Sequence, residues 1–247
     1  MQHDITSTSS VKKLIYKVVA SAYADYSRAS SASWNYPEFN LCLVGDVLTV
    51  EMKEGFTEPD AVKIIGSFLR NWEIHIGLEY NPQEIIFKLE RIEFSAEPKV
   101  SRCFVSVAGD TILVNRRTKY PDPPADFEAS ERVENMFRRY EMYCHGKEPL
   151  SSMVYFCLDY LENSVGGKDK IASRYNIALP VLKKLGQLSS TRGSIVEARK
   201  GIKDQGYAPL SESEKVWMLM AIRKIIQRVG ERVDSKPQIT MSDLSAL

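Results

Sequence analysis

The sequence is short of the residues on which most recognisable chemistry depends. Its 247 residues include 4 cysteines and 3 histidines. Cys42, Cys103, Cys144 and Cys157 form no Cys-x-x-Cys pair, so local spacing builds neither a thiolate metal site nor a redox couple. Each stands among apolar neighbours, as in Leu41-Cys42-Leu43 and Phe156-Cys157-Leu158. They are expected to act as small core hydrophobes in a reduced, cytoplasmic protein. His75 has Glu73 and Glu79 nearby in sequence, but a metal site needs three or four converging ligands, and none is expected here. Gly-x-Ser-x-Gly, His-Glu-x-x-His and catalytic-cysteine signatures are all missing, which removes the commonest hydrolases. No glycine-rich phosphate loop follows a strand, which argues against a nucleotide-binding α/β fold, and no cofactor is expected. No run approaches the roughly 18 consecutive apolar residues of a membrane span, so no membrane partner is expected. With a formal net charge of +1, the molecule as a whole has no field that would gather a polyanion. Any such affinity must come from a local patch.

What is present is an ordinary globular composition, 44% apolar and 26% charged. The polar, Ser/Thr-rich residues 1–10 lack the apolar segment of a secretory signal and read as a loose arm. Apolar residues alternate from Lys13 to Tyr26, which predicts a strand. The runs Phe39–Val44 and Val47–Lys53 flank Gly45-Asp46, and glycine accepts the positive φ of a tight hairpin turn. Thr57, Pro59 and Asp60 then open a helix by capping, fixed φ and dipole complementarity. Ala61, Ile65, Phe68, Leu69, Trp72 and Ile76 give that helix one broad apolar face. Alternation returns over Ile85–Phe94 and Val100–Val107, and Thr111–Asn115 follows a turn at Gly109. The predicted order β-β-β-α-β-β-β indicates a mostly antiparallel sheet covered by one helix.

Three prolines within 120–125 predict a stiff connector. Beyond it the period becomes helical, with helices over Phe127–Cys144, Leu150–Leu161, Asp169–Tyr175, Leu179–Leu188 and from Ser211 to about Gly230. The expected fold class is therefore α+β. A sheet-plus-helix domain spans 11–119, a linker 120–125 and an all-α bundle 126–235, with 236–247 loose like the N-terminal arm.

Charge is unevenly distributed in the helical half. From 168 to 203 there are nine basic residues: Lys168, Lys170, Arg174, Lys183, Lys184, Arg192, Arg199, Lys200 and Lys203. Asp169 and Glu197 alone oppose them, a net charge of +7. On one face these side chains could neutralise several phosphates of a nucleic acid or another anionic partner. The plainer alternative is a solvated surface compensated from elsewhere in the fold. Within the stretch, Ile171 to Leu185 has the spacing of a helix-turn-helix. Ala172 is the small contact residue, Asn176 the turn residue able to turn left-handed, and Ile177, Leu182 and Leu185 are core positions. Pro180 delays the second helix, and little base-reading chemistry stands at its start.

A second constellation is Arg139-Tyr-Glu-Met-Tyr-Cys-His145. It resembles the Arg-x(4–6)-His motif of the HEPN superfamily, whose active members cleave RNA with two copies of the motif brought together in a dimer. The resemblance implies Arg139 and His145 as catalytic residues, an imidazole for proton transfer and a guanidinium for phosphate charge. Here the motif lies on the first helix of the bundle, whereas the family carries it late. The late stretch Arg192–Lys200 lacks the histidine, which implies a degenerate, non-catalytic relative. A histidine simply placed at a helix C-terminus explains the same residues. Three further segments, Ser67-Phe-Leu-Arg-Asn-Trp-Glu73, Gly146 to Cys157 and Ala198-Arg-Lys200 with the Trp217 helix, are similar to MauJ-like proteins of bacterial methylamine-utilisation gene clusters. That resemblance implies a bacterial two-part protein and carries no catalytic residue with it.

The expectation that follows is a non-enzymatic binding or accessory protein whose basic helical domain meets an anionic partner, nucleic acid among them. The alternatives are a HEPN-like ribonuclease, a helix-turn-helix DNA-binding regulator, and a scaffold that pairs with protein partners or with a second copy of itself.

Overall fold

The computed structural model describes residues 10–21, 24–95, 115–192, 209–232 and 236–244. The chain divides into two compact units, Met1–Pro123 and Pro124–Leu247. It is an α+β protein, an antiparallel sheet with a covering helix followed by a set of helices.

In the first unit the strands are β1 (Val11–Ala20), β2 (Ala24–Asp25), β3 (Ala32–Asn35), β4 (Phe39–Val44), β5 (Val47–Phe56), β6 (Ile85–Phe94) and β7 (Asn115–Arg116), with helix α1 (Glu58–Glu79) between β5 and β6. Five of them form one sheet in the order β3-β4-β5-β1-β6, each pair antiparallel. The β4–β5 hairpin turns at Gly45, whose φ of 60° suits a residue without Cβ. Alternation then sorts the side chains. Leu41, Leu43, Leu48, Val50 and Leu14 are buried on the covered face, while Cys42 between them is exposed. Cys42 is thus not the core thiol its apolar neighbours suggest, because period two turns it to the opposite face. Cys157 is fully buried, Cys144 is exposed, and Cys103 lies outside the described residues.

Helix α1 starts where Thr57 caps it by accepting the Asp60 N–H. Its buried stripe Ala61, Ile65, Leu69, Trp72 and Ile76 packs into the sheet's core. Trp72 meets Trp34 edge-on at 5.2 Å and Phe87 at 4.9 Å.

Three expectations change in this unit. The single strand expected over 13–26 ends at Ala20, and β2 pairs instead with β7 in a separate parallel ribbon. Strand β3 has no counterpart among the expected elements, because its four residues carry a single large apolar side chain, Trp34. Tyr120, expected to open the connector, is buried in this unit. It stacks on Tyr26 at 4.6 Å and donates to the Gly45 carbonyl at 2.6 Å. The strands expected over 100–107 and 111–114 lie outside the described residues.

The second unit contains α2 (Glu131–Cys144), α3 (Leu150–Val165), α4 (Lys168–Tyr175), α5 (Leu179–Thr191), α6 (Glu212–Gly230) and a 3-10 turn at Ser242–Leu244. Helix α3 is central. It packs against α2, α4, α5 and α6 through Met153, Val154, Cys157, Leu158 and Leu161, all buried. Gly166 ends α3 in the left-handed region at φ 94°. Helix α6 begins with a reciprocal capping box between Ser211 and Glu214. It ends at Gly230, where a Cβ would meet the Phe127 ring at 2.4 Å, so the backbone approach itself demands glycine.

The tail, expected to be loose from 236, is held down over residues 236–244. Ile239 N–H donates to the Asn176 carbonyl at 3.0 Å, and Ala178 N–H donates to the Ile239 carbonyl at 2.8 Å. Ile239 and Leu244 are buried. Their apolar side chains and the free backbone groups of the α4–α5 turn supply what the polar composition of the tail conceals.

Candidate nucleic-acid interface

Helices α4 and α5 pack on one another across the three residues Asn176, Ile177 and Ala178. Asn176 stops α4 by adopting φ 49°, ψ 54°, the left-handed conformation that asparagine tolerates better than most residues. The chain can then reverse, and Ala178 leads directly into α5 with Pro180 in its first turn. Ile171, Tyr175, Ile177, Val181, Leu182 and Leu185 are buried. The opposite faces are polar. On α4, Lys170 and Arg174 are exposed one turn apart. On α5, Pro180, Lys183 and Gln187 are exposed at a spacing that keeps them on one side.

The six expected phosphate-binding cations that lie among the described residues fall into two groups. Lys168 pairs with Glu162 at 2.8 Å and Arg192 with Glu214 at 3.6 Å. The Lys184 ammonium sits 4.3 Å from the centre of the Trp217 ring on α6. These three have local partners, and both carboxylates come from outside the basic stretch. Lys170, Arg174 and Lys183 form no ion pair among the described residues, although the Arg174 guanidinium lies 5.6 Å over the Tyr175 ring. Arg199, Lys200 and Lys203 lie outside the described residues. The Glu214 carboxyl is held below its ordinary value by the Ser211 N–H and hydroxyl and by the Arg192 and Lys184 charges. Its role is signalled in the sequence only as the last residue of a Ser-x-x-Glu cap.

Arg139 and His145 occupy different settings. Arg139 Nη1 donates to both oxygens of Glu148 at 3.2 Å, and its guanidinium lies 4.1 Å over the Phe156 ring. His145 caps the C-terminus of α2, exposed, with Nδ1 2.8 Å from the Glu141 carbonyl oxygen. The guanidinium is therefore engaged with an acid and a ring, while the imidazole is bound to the backbone. Nearby Cys157, fully buried, is pushed above the ordinary thiol range by that burial, which disfavours a nucleophilic thiolate.

A polar site that the sequence does not announce lies in the first unit. The Glu84 side chain is 1% exposed and accepts Arg117 Nε and Nη2 at 3.2 and 3.0 Å, with the Tyr26 hydroxyl at 3.4 Å. Burial, then the Glu84 charge, pushes the Tyr26 hydroxyl up and keeps it a neutral donor. A cavity of about 610 Å³ opens beside Tyr26 and Tyr120, with Asp25 and Asp46 in its wall. Among the described residues no three metal-ligating side chains converge, and no helix is long and apolar enough to cross a membrane.

No family model matches the chain, and neither does any curated protein or solved structure.

Proposed function

We propose that this is a binding protein whose helical unit contacts the phosphate backbone of a nucleic acid through α4 and α5. The observation that carries the proposal is the exposure of Lys170, Arg174 and Lys183 without a carboxylate partner among the described residues. An exposed cation already paired with a carboxylate gains little from a phosphate, whereas an unpaired one releases a condensed counterion on contact. Lys168, Lys184 and Arg192 play a different part in this account. Their contacts with Glu162, Trp217 and Glu214 tie α4 and α5 to α3 and α6, and so hold the surface in shape.

Fluorescence anisotropy of a labelled random-sequence DNA duplex and a labelled single-stranded RNA, in low and high salt, tests it. Salt-sensitive binding to one or both is expected. Replacing Lys170, Arg174 and Lys183 by Ala together should lower the slope of log affinity against log salt by roughly 2–3. No binding at low salt, or an unchanged slope in a folded triple variant, overturns the proposal. RNA recovered in fragments, with cleavage abolished by His145→Ala, would replace it with ribonuclease chemistry at Arg139 and His145.

A further inference from the structure

We propose that α4 and α5 form a helix-turn-helix that seats α5 in the major groove of duplex DNA, an inference that rests on the phosphate contact proposed above. Three features carry it. The connection between the helices is three residues long and turns at a left-handed Asn176, which brings the C-terminus of a short helix next to the N-terminus of a longer one. The buried set Ile171, Tyr175, Ile177, Val181, Leu182 and Leu185 fixes the two helices as one body. The exposed side chains then divide by helix. Lys170 and Arg174 present cations from the first, while on the second Lys183 stands in its first half and Gln187 one turn further on, past its midpoint.

That division matches the two tasks of groove recognition. The first helix lies across the phosphates, and the second offers polar side chains to base edges. A glutamine can bond adenine N6 and N7 together, and a lysine can donate to guanine O6 and N7. Both are contacts of the major groove, which is wide enough for a helix. Single-stranded RNA is read differently, by stacking on exposed aromatic rings. The large aromatic ring beside this surface, Trp217, is 2% exposed and covered by Lys184.

The 247-residue chain is tested against a labelled DNA duplex obtained by repeated selection from a random pool, alongside a labelled RNA of equal length. The selected duplex is expected to bind about a thousandfold or more tighter than the RNA, the lower end of the usual ratio of specific over non-specific binding. Methylating guanine N7, which blocks the major groove alone, should weaken it. Gln187→Ala should cut the preference for the selected sequence by about five- to a hundredfold while leaving salt-sensitive binding to a random duplex in place. RNA bound as tightly as the duplex, indifference to N7 methylation, or sequence preference unmoved by Gln187→Ala overturns the inference and leaves the phosphate contact standing. Absence of salt-sensitive binding to either polymer overturns both.

Discussion

Arg228 is the residue whose loss should be felt furthest from its own helix. It lies in the last turn of α6, 6% exposed, and its donors reach four groups on three segments. Nε donates to Glu231 at 3.2 Å, Nη1 to the carbonyls of Tyr175 and Asn176 at 3.2 and 3.3 Å, and Nη2 to the Pro237 carbonyl at 2.9 Å. One guanidinium therefore joins the α6 terminus, the α4–α5 turn and the docked tail. Arg228→Ala would take this donor from the Tyr175 and Pro237 carbonyls and one partner from the largely buried Glu231 carboxylate. Glu231 keeps Gln227 and Lys236, and the Asn176 carbonyl keeps the Ile239 N–H. Removing one partner of a buried pair costs about 3–5 kcal/mol, and each orphaned acceptor adds to the loss if water cannot reach it. For a unit of this size the corresponding drop in melting temperature is on the order of 10 °C. Circular dichroism melts of the full chain read the total. Hydrogen exchange reads the location, since the amides of Ile239 and Ala178 should lose protection before those of α3. Arg228→Lys keeps the charge but not the fork, and should recover only a minor part. A variant within about 0.5 kcal/mol of the parent, or unchanged exchange at Ile239, would refute the reasoning.

Two further outcomes are expected. Gly230→Ala drives a methyl group against the Phe127 ring at 2.4 Å and should destabilise by about 1–3 kcal/mol, although alanine is otherwise the better helix former. If the ring is the cause, Phe127→Leu in the same chain lowers the cost of the glycine substitution relative to its cost alone, which a double-mutant cycle of urea melts measures. Glu214→Gln keeps the capping acceptor but removes the charge near Arg192, and should cost about 0.3–1 kcal/mol at neutral pH. Because the folded carboxyl is held below its ordinary value of 4.5, this stabilisation is fully present above that pH and fades as pH falls through the lower folded value. Melts of parent and variant should therefore converge in acid, and a gap that persists or widens there contradicts the assignment.

Interactions reaching three or four residues along the chain were legible in the sequence. The Gly45 hairpin turn, the Thr57 cap, the Ser211–Glu214 box, the glycine stop after α3 and the left-handed Asn176 all depend on near neighbours. So do the apolar stripe of α1 and the basic composition of α4 and α5, and α+β could be inferred from period alone. Contacts between distant residues were not legible. Nothing local placed β1 between β5 and β6, turned Cys42 outward, or buried Glu84 against Arg117.

The candidate interface divides the same way. Nine cations in one stretch follow from the sequence, but which of them are available to a phosphate depends on acids and rings supplied by other helices. Glu162 on α3 takes Lys168, Glu214 on α6 takes Arg192, and Trp217 takes Lys184, while Lys170, Arg174 and Lys183 keep to solvent. Composition sets how much charge the chain carries. Tertiary packing decides where it is neutralised, because a charge is cancelled by what lies within a few ångströms of it and not by what lies nearby in sequence.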